Sequence, residues 1–441
     1  MKKLYVVLYD QVVAELIQES SGAKKLTYIC DAPPPVLLSV ALPYRHSPYP
    51  KKPTEAFIEG LIPEGEAVRQ ALAREYELSS WKNPFAILEK IGLECAGAVQ
   101  FVAPEELENL ANNPGDLISV TEEQLEQRLQ RLEGSPHKSW VMHRERWSLA
   151  GAQSKFALRL HEGQWYEATG AQPTTHIFKP GIHDLKDQAL NEHLCLKTLG
   201  QLGLPVAHTI YQKFGQSAAI VIKRYDRYID PNGVLHRIHQ EDMCQATSTL
   251  PERKYESSRG PSALKIIELI RQVCPPEDAE TFVQALIANY LLGAPDAHAK
   301  NYSLLHLPDG QIRLAPLYDI ASGFPYASSL NSDIHSMDQP NNNGIPGKND
   351  GLEKAAMAIG GERRFGKLSS KHWTKFAQDA GFSEDRLRAT VQYMAENLPE
   401  VLRQVCREEA EAIGESDIVN RMVPSVEYLC DTTLTMLDRD Y

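Results

Sequence analysis

Pro295-Asp-Ala-His-Ala-Lys-Asn-Tyr-Ser-Leu-Leu-His-Leu-Pro-Asp-Gly-Gln-Ile-Arg-Leu-Ala-Pro-Leu-Tyr-Asp319 is the stretch on which the reading of this chain turns. Residues 302–307 and 311–317 are two apolar-alternating runs around Pro308-Asp-Gly310, a pattern that predicts a hairpin. A hairpin returns its far ends to one place, so Asn301 and Asp319 are expected as neighbours, with Asp296 in the same loop. An Asn and an Asp offering oxygen ligands, with a second Asp as base, is the set that Mg²⁺-dependent phosphoryl transfer uses. The five-residue step from Asp296 to Asn301 equals the Asp-to-Asn step of a protein-kinase catalytic loop. An Asx-rich turn capping a hairpin is the plainer reading of the same residues.

Two upstream stretches bear on the choice. Ser148-Leu-Ala-Gly-Ala-Gln-Ser-Lys155 precedes a strand. Its small residues let backbone N–H groups approach phosphate, and Lys155 adds charge. It matches neither glycine-rich consensus, so a plain turn remains the alternative. Lys179 ends a short strand, and Glu192 lies in the helix that follows. That matches the kinase lysine–glutamate pair that positions nucleotide phosphates, with a surface ion pair as the other reading. The order carries more than the parts. Loop, lysine strand, helix glutamate, a strand with a linker at Lys223-Arg-Tyr-Asp226, then the Asp/Asn loop and a metal Asp is the order of a two-lobed kinase.

Composition narrows the classes. The chain has 441 residues, 42% hydrophobic and 24% charged, with a net charge of −12. That acidity argues against coating nucleic acid unaided, though a local basic patch could still touch it. The 7 cysteines are odd in number, scattered and without a C-x-x-C pair, which argues against a disulfide scaffold or cysteine-rich zinc site and for a reducing cytosol. No apolar run approaches the ~18 residues of a membrane span, and the start does not read as a signal peptide, so a cytoplasmic protein without membrane contact is expected.

The expected architecture is α+β: residues 1–105 as an amino-terminal subdomain, 106–139 as an acidic connecting segment, 140–225 as a strand-rich lobe and 226–441 as a helix-dominated lobe. Strands are predicted at 4–8, 36–42, 156–160, 165–168, 176–179 and 218–222, and helices at 189–199 and around 282–291. After the 302–317 hairpin only helices are expected, apart from a Gly/Asn/Asp-rich loop at 341–351.

These motifs resemble the HipA family, the serine/threonine kinase toxins of bacterial toxin–antitoxin pairs. The matching stretches are Ser148–Leu158, Pro173-Thr-Thr-His-Ile-Phe-Lys179, Asn191-Glu192, Gln240-Glu-Asp-Met-Cys-Gln245, Asp296-Ala-His-Ala-Lys-Asn301 and Leu317-Tyr-Asp319. Gly60-Leu-Ile-Pro-Glu-Gly-Glu66 and Ile91–Phe101 resemble that family's first domain.

The resemblance implies a two-lobed protein-kinase-like fold in which Asp296 is the catalytic base and Asn301 and Asp319 hold Mg²⁺. Ala150, Gly151, Ala152, Gln153, Ser154, Lys155 and Lys179 would bind ATP phosphates. The backbone of Lys223, Arg224 and Tyr225 would meet adenine, and His298, Ala299, Lys300, Asn301, Tyr318 and Asp319 would complete the nucleotide site. Lys223 departs from the acidic residue that can open the family's linker. Ser148 falls where the family autophosphorylates, and a phosphate there adds ~−1.5 to −2 charge to the loop that must cradle ATP. Like-charge repulsion would expel the loop and silence the kinase. The family's DNA-contacting basic segment falls near Gly361–Lys367 by rough spacing, where Arg363 and Arg364 could touch phosphates, with a solvated charged face as the other and plainer reading. The implied partners are a HipB-like helix-turn-helix antitoxin, operator DNA through that antitoxin, and a protein substrate such as an aminoacyl-tRNA synthetase. Two other classes stay open: a kinase-fold corepressor acting mainly through its antitoxin, and a metal hydrolase using His298, His306 and Asp319.

Overall fold

Alternating Leu4, Val6 and Leu8 point one face of the strand Lys2–Leu8 into a core. This strand pairs antiparallel with Gln11–Gln18 and Val99–Val102, and Lys24–Tyr28 completes a four-stranded sheet. The structure, a computed structural model, describes residues 1–113, 115–133, 141–142, 145–182, 184–326 and 352–438. The expected loop at 341–351 lies outside the described residues. Among the described residues no helix is long and apolar enough to cross a membrane.

The chain divides into two units, Met1–Asp184 with His208–Lys254 and Ser303–Ala315, and Leu185–Ala207 with Tyr255–Tyr302 and Pro316–Tyr441. The first unit is strand-rich. Its second sheet runs in the order Leu117–Ser119, Gln164–Ala168, Phe156–His161, His176–Lys179, Ser217–Lys223, Thr209–Phe214. Phe156 and Phe178 stack with centroids 4.9 Å apart, and Trp165 meets Phe178 edge-on. One continuous core runs from Leu4 through Phe101 to Phe178 and Val221, so the first hundred residues and the second sheet share their apolar interior.

The decisive hairpin forms, with strands Ser303–His306 and Ile312–Leu314 closed by a turn in which Gly310 N–H donates to Leu307 O at 2.9 Å. Gly310 holds φ +87°, the left-handed region that favours glycine. A third strand, His239–Asp242, pairs along the other edge.

One expected strand is absent. Residues 36–42 are irregular, because their N–H groups are taken by other partners than a ladder. Leu38 N–H donates to the Tyr28 hydroxyl at 2.8 Å, Val40 N–H to Glu241 at 2.8 Å and Ala41 N–H to Ser39 Oγ at 3.0 Å.

The second unit is built on the helices Gln188–Gln201, Ala263–Val273, Pro276–Leu291, Ser370–Ala380, Glu384–Glu408 and Ile418–Asp438. Trp373, Tyr290 and Phe282 are wholly buried among them. The carboxy-terminal part is not helical throughout. Lys354–Ile359 and Glu362–Arg364 form a further hairpin around Gly360-Gly361, both at positive φ.

A buried ionic cluster holds the first unit together. Glu94, 1% exposed, accepts from Arg224 at 3.1 Å, Arg227 at 2.9 Å and Arg237 at 2.8 Å. Asp226 accepts from Arg224 at 2.8 Å, Arg227 at 3.1 Å and Gly97 N–H at 2.7 Å. Burial by itself would raise the Glu94 carboxyl, but Arg227, Arg237 and Arg224 outweigh it and hold it down to about 2. A depressed carboxyl stabilises the fold above its unfolded value of ~4.3, and that contribution is lost as pH falls toward the folded value. Glu94→Gln leaves three guanidiniums facing one carboxylate, so it is expected to cost ~3–5 kcal/mol at pH 7. In urea unfolding the deficit relative to wild type narrows as the pH is lowered below about 4.

Candidate active site

The loop expected to cradle phosphate is seated on the first hundred residues. Glu145, just ahead of it, takes a two-pronged ion pair from Arg128 at 2.9 and 2.7 Å. Trp147 bridges Glu94, and Ser148 N–H donates to Glu94 O at 2.7 Å. Ser148 is 0% exposed, and its hydroxyl donates to Leu61 O at 2.7 Å. Glu64 N–H donates to Gly151 O at 2.9 Å, and Lys155 Nζ donates to Ala150 O at 2.9 Å. Ala152 stands exposed at the tip, with Gln153 and Ser154 half-buried behind it.

Lys179 is buried at the end of a central strand, opposite Ile220. At the linker, Lys223 N–H donates to His208 O and Arg224 N–H to Thr175 O, both at 2.9 Å. The Arg224 guanidinium turns inward to the Glu94–Asp226 cluster, which makes that side chain structural. Tyr225 hydroxyl donates to Gln240 Oε1 at 2.7 Å.

The second unit holds the other candidates. The carbonyl of Asp296 accepts both His298 N–H and the Asn301 side-chain amide at 2.7 Å. A short 3-10 turn, Ala299–Asn301, then closes through Asn301 N–H to His298 O at 2.9 Å. The Asp296 carboxylate is 61% exposed, with His298 Nε2 3.8 Å away. Tyr318 hydroxyl donates to Lys300 O at 2.7 Å, which ties the backbone beside Asp319 to the backbone beside Asn301. Asp319 itself holds φ +58°, an uncommon conformation for a non-glycine residue and one that clusters at functional sites. Glu192 is wholly buried in the helix Gln188–Gln201.

Tyr255 escaped the sequence reading, and Asn191 was quoted there without a role. Tyr255 donates its hydroxyl to Asp296 Oδ1 and meets the His298 ring edge-on with centroids 4.8 Å apart. Asn191 exchanges two hydrogen bonds with the backbone of Ser322, at 2.8 and 3.0 Å, and so pins the segment after Asp319. Asn191 carried a signal, being one of three consecutive polar residues inside a helix with no polar face. Tyr255 lies 41 positions before Asp296 and carried none.

Other candidates are differently placed. His306 belongs to the first unit and pairs with buried Glu241 at 2.8 Å, whereas His298 and Asp319 belong to the second. Among the described residues no three His, Cys, Asp or Glu side chains converge as a metal site. Arg364 is drawn onto Glu362 at 2.7 Å. That hydrogen bond, against some burial, holds the Glu362 carboxyl down to about 2.

Two family models match this chain, the HipA-like C-terminal domain over residues 147–402 and the HipA N-terminal domain over residues 4–102. The chain belongs to the HipA family. The protein Y4mE of Sinorhizobium fredii is 32% identical over 393 residues, covering 88% of this chain and 87% of that protein. The serine/threonine-protein kinase toxin HipA of Shewanella oneidensis is 31% identical over 281 residues, 60% of this chain and 62% of its own. A chain of the solved Shewanella oneidensis MR-1 complex of HipA, HipB and operator DNA matches at a TM-score of 0.78, with 24% identity and 99% of each chain covered. The fold is therefore that of HipA, and this HipA-family chain is a protein kinase of the serine/threonine class.

Gly151 gives the loop a direct test. It holds φ +103°, and a Cβ there would lie 2.6 Å from Lys155 Nζ. Gly151→Ala is expected to cost ~1–3 kcal/mol through backbone strain and displacement of Lys155. A lowered urea midpoint, with faster protease cleavage between residues 149 and 155, is the expected result.

Proposed function

We propose that this chain is an Mg·ATP-dependent kinase toxin that phosphorylates a cytosolic protein and silences itself by phosphorylating Ser148. The observation that carries the reading is the tie between Asp296 and Asn301. The Asn301 amide nitrogen is spent on the Asp296 carbonyl, so its oxygen is turned the other way as a hard donor. With the Asp319 carboxylate it would make a donor set of the kind Mg²⁺ accepts. Bound Mg²⁺ would offset the charge of the nucleotide phosphates. Asp296 orients the acceptor hydroxyl and takes its proton as the oxygen attacks the γ-phosphorus and ADP leaves.

Lys179 and the loop from Ala150 to Lys155 hold the phosphates in this reading. Lys223 to Tyr225 lie along the base, and His298 to Asn301 with Tyr318 close the nucleotide site. By the Shewanella oneidensis relatives, the partner is a HipB-like antitoxin that carries the complex to operator DNA, with Arg363 and Arg364 as contacts. An aminoacyl-tRNA synthetase is the proposed target class, in the cytoplasm.

The state of Ser148 supports self-silencing. Its hydroxyl is sealed under the loop against Leu61 O, so the loop must leave before Ser148 accepts a phosphate. Once phosphorylated, the side chain has lost its donor proton and carries ~−1.5 to −2 charge, so it cannot return against a carbonyl. Intact mass before and after Mg·ATP is the test, beside Asp296→Asn and Ser148→Ala. The expected outcome is one phosphate on wild type, gained in the tube or already present, and none on either variant. A wild type that binds ATP yet never carries phosphate would favour the corepressor reading.

A further inference from the structure

We propose that Tyr255 is a positioning residue for phosphoryl transfer, fixing one oxygen of the Asp296 carboxylate so that the other receives the acceptor proton. This rests on the reading of Asp296 as the base. An exposed aspartate on a loop turns about two side-chain bonds, and a base that turns spends little time aimed at the acceptor. Here Oδ1 is held by the Tyr255 hydroxyl, which leaves Oδ2 to face the acceptor. In the step so arranged, the acceptor O–H bond breaks and its proton passes to Oδ2. The acceptor oxygen bonds to the γ-phosphorus, and the bond to the ADP oxygen breaks.

Tyr255 is itself held on three sides. Its carbonyl accepts Ser258 N–H and Gly260 N–H, both at 2.9 Å. The next residue, Glu256, accepts Ala358 N–H at 2.7 Å, which anchors the turn to the strand Lys354–Ile359. Its ring packs edge-on against buried His298, in the loop that carries Asp296. A hydroxyl delivered by so fixed a backbone and ring is aimed rather than incidental.

The test follows Ser148 phosphorylation by intact mass over time on phosphatase-treated full-length chain, at several Mg·ATP concentrations. Tyr255→Phe is expected to slow the maximal rate ~10- to 100-fold, a share of what a positioned base supplies. The half-saturating ATP concentration and the melting temperature stay at wild-type values. In an Asp296→Glu background, where the carboxylate is already displaced, the same change costs less than about threefold, because the two act as a unit. Tyr255→Phe at the wild-type rate would overturn the inference while leaving the base assignment standing. An equal loss in both backgrounds, or a rise in half-saturating ATP that matches the loss, would make Tyr255 merely structural. Phosphorylation that persists in Asp296→Asn removes the base assignment, and the inference with it.

Discussion

Everything in the first unit that faces a nucleotide in the proposed site is referred to one carboxylate, that of Glu94. Its side chain gathers Arg224, Arg227 and Arg237, and it also accepts Thr174 N–H at 2.9 Å, just ahead of the strand that ends in Lys179. Its own carbonyl receives Ser148 N–H. Loop, lysine strand and linker are thus registered against a single buried residue. A buried ion cluster of two carboxylates and three guanidiniums is weak evidence for net stability, because each charge surrendered its hydration. It does make misregistration expensive, since sliding any one of these segments strands a charge in the interior.

The parts that could be read from sequence are those whose partners lie close along the chain. The 303–314 hairpin, the 156–168 hairpin and the helix Gln188–Gln201 follow from periodicity and turn chemistry within about twenty residues. The Glu94 cluster joins residues separated by 130 to 143 positions, and no local pattern announces it. The run at 36–42 misled for a related reason. Its apolar residues are buried as a strand's would be, but its donors go to Tyr28, Ser39 and Glu241, side chains that periodicity does not see. Lys354–Ile359 failed in the opposite way. Its three alanines suit a helix, and the Gly360-Gly361 turn that makes it a strand sits at its far end.

The candidate site divides along the same line. Asp296 and Asn301 lie five positions apart and are joined directly, so their proximity is legible from the chain. Tyr318 and Asp319 are brought alongside by the hairpin, which was legible, and by the Tyr318 bond to Lys300 O, which was not. Tyr255 and Asn191 reach the site from elements whose sequences name no destination. The candidate chemical residues are short-range signals here, and the contacts that hold them are long-range.

The seating of the Ser148 loop changes what the amino-terminal segment is for. Leu61 supplies the carbonyl that receives the serine hydroxyl, Glu64 supplies the N–H that holds Gly151 O, and Glu94 supplies the carbonyl behind Ser148. Lys254 fixes Glu64 in turn at 2.8 Å. All three acceptors and donors come from residues 4–102, the span that matches the HipA N-terminal domain. Their apolar neighbours are continuous with the core beneath the second sheet. That segment is therefore a wall of the Ser148 loop rather than an appended module. Three hydrogen bonds, each worth ~1 kcal/mol net, tie the loop to that segment, and the loop's position is set by residues far from it in sequence.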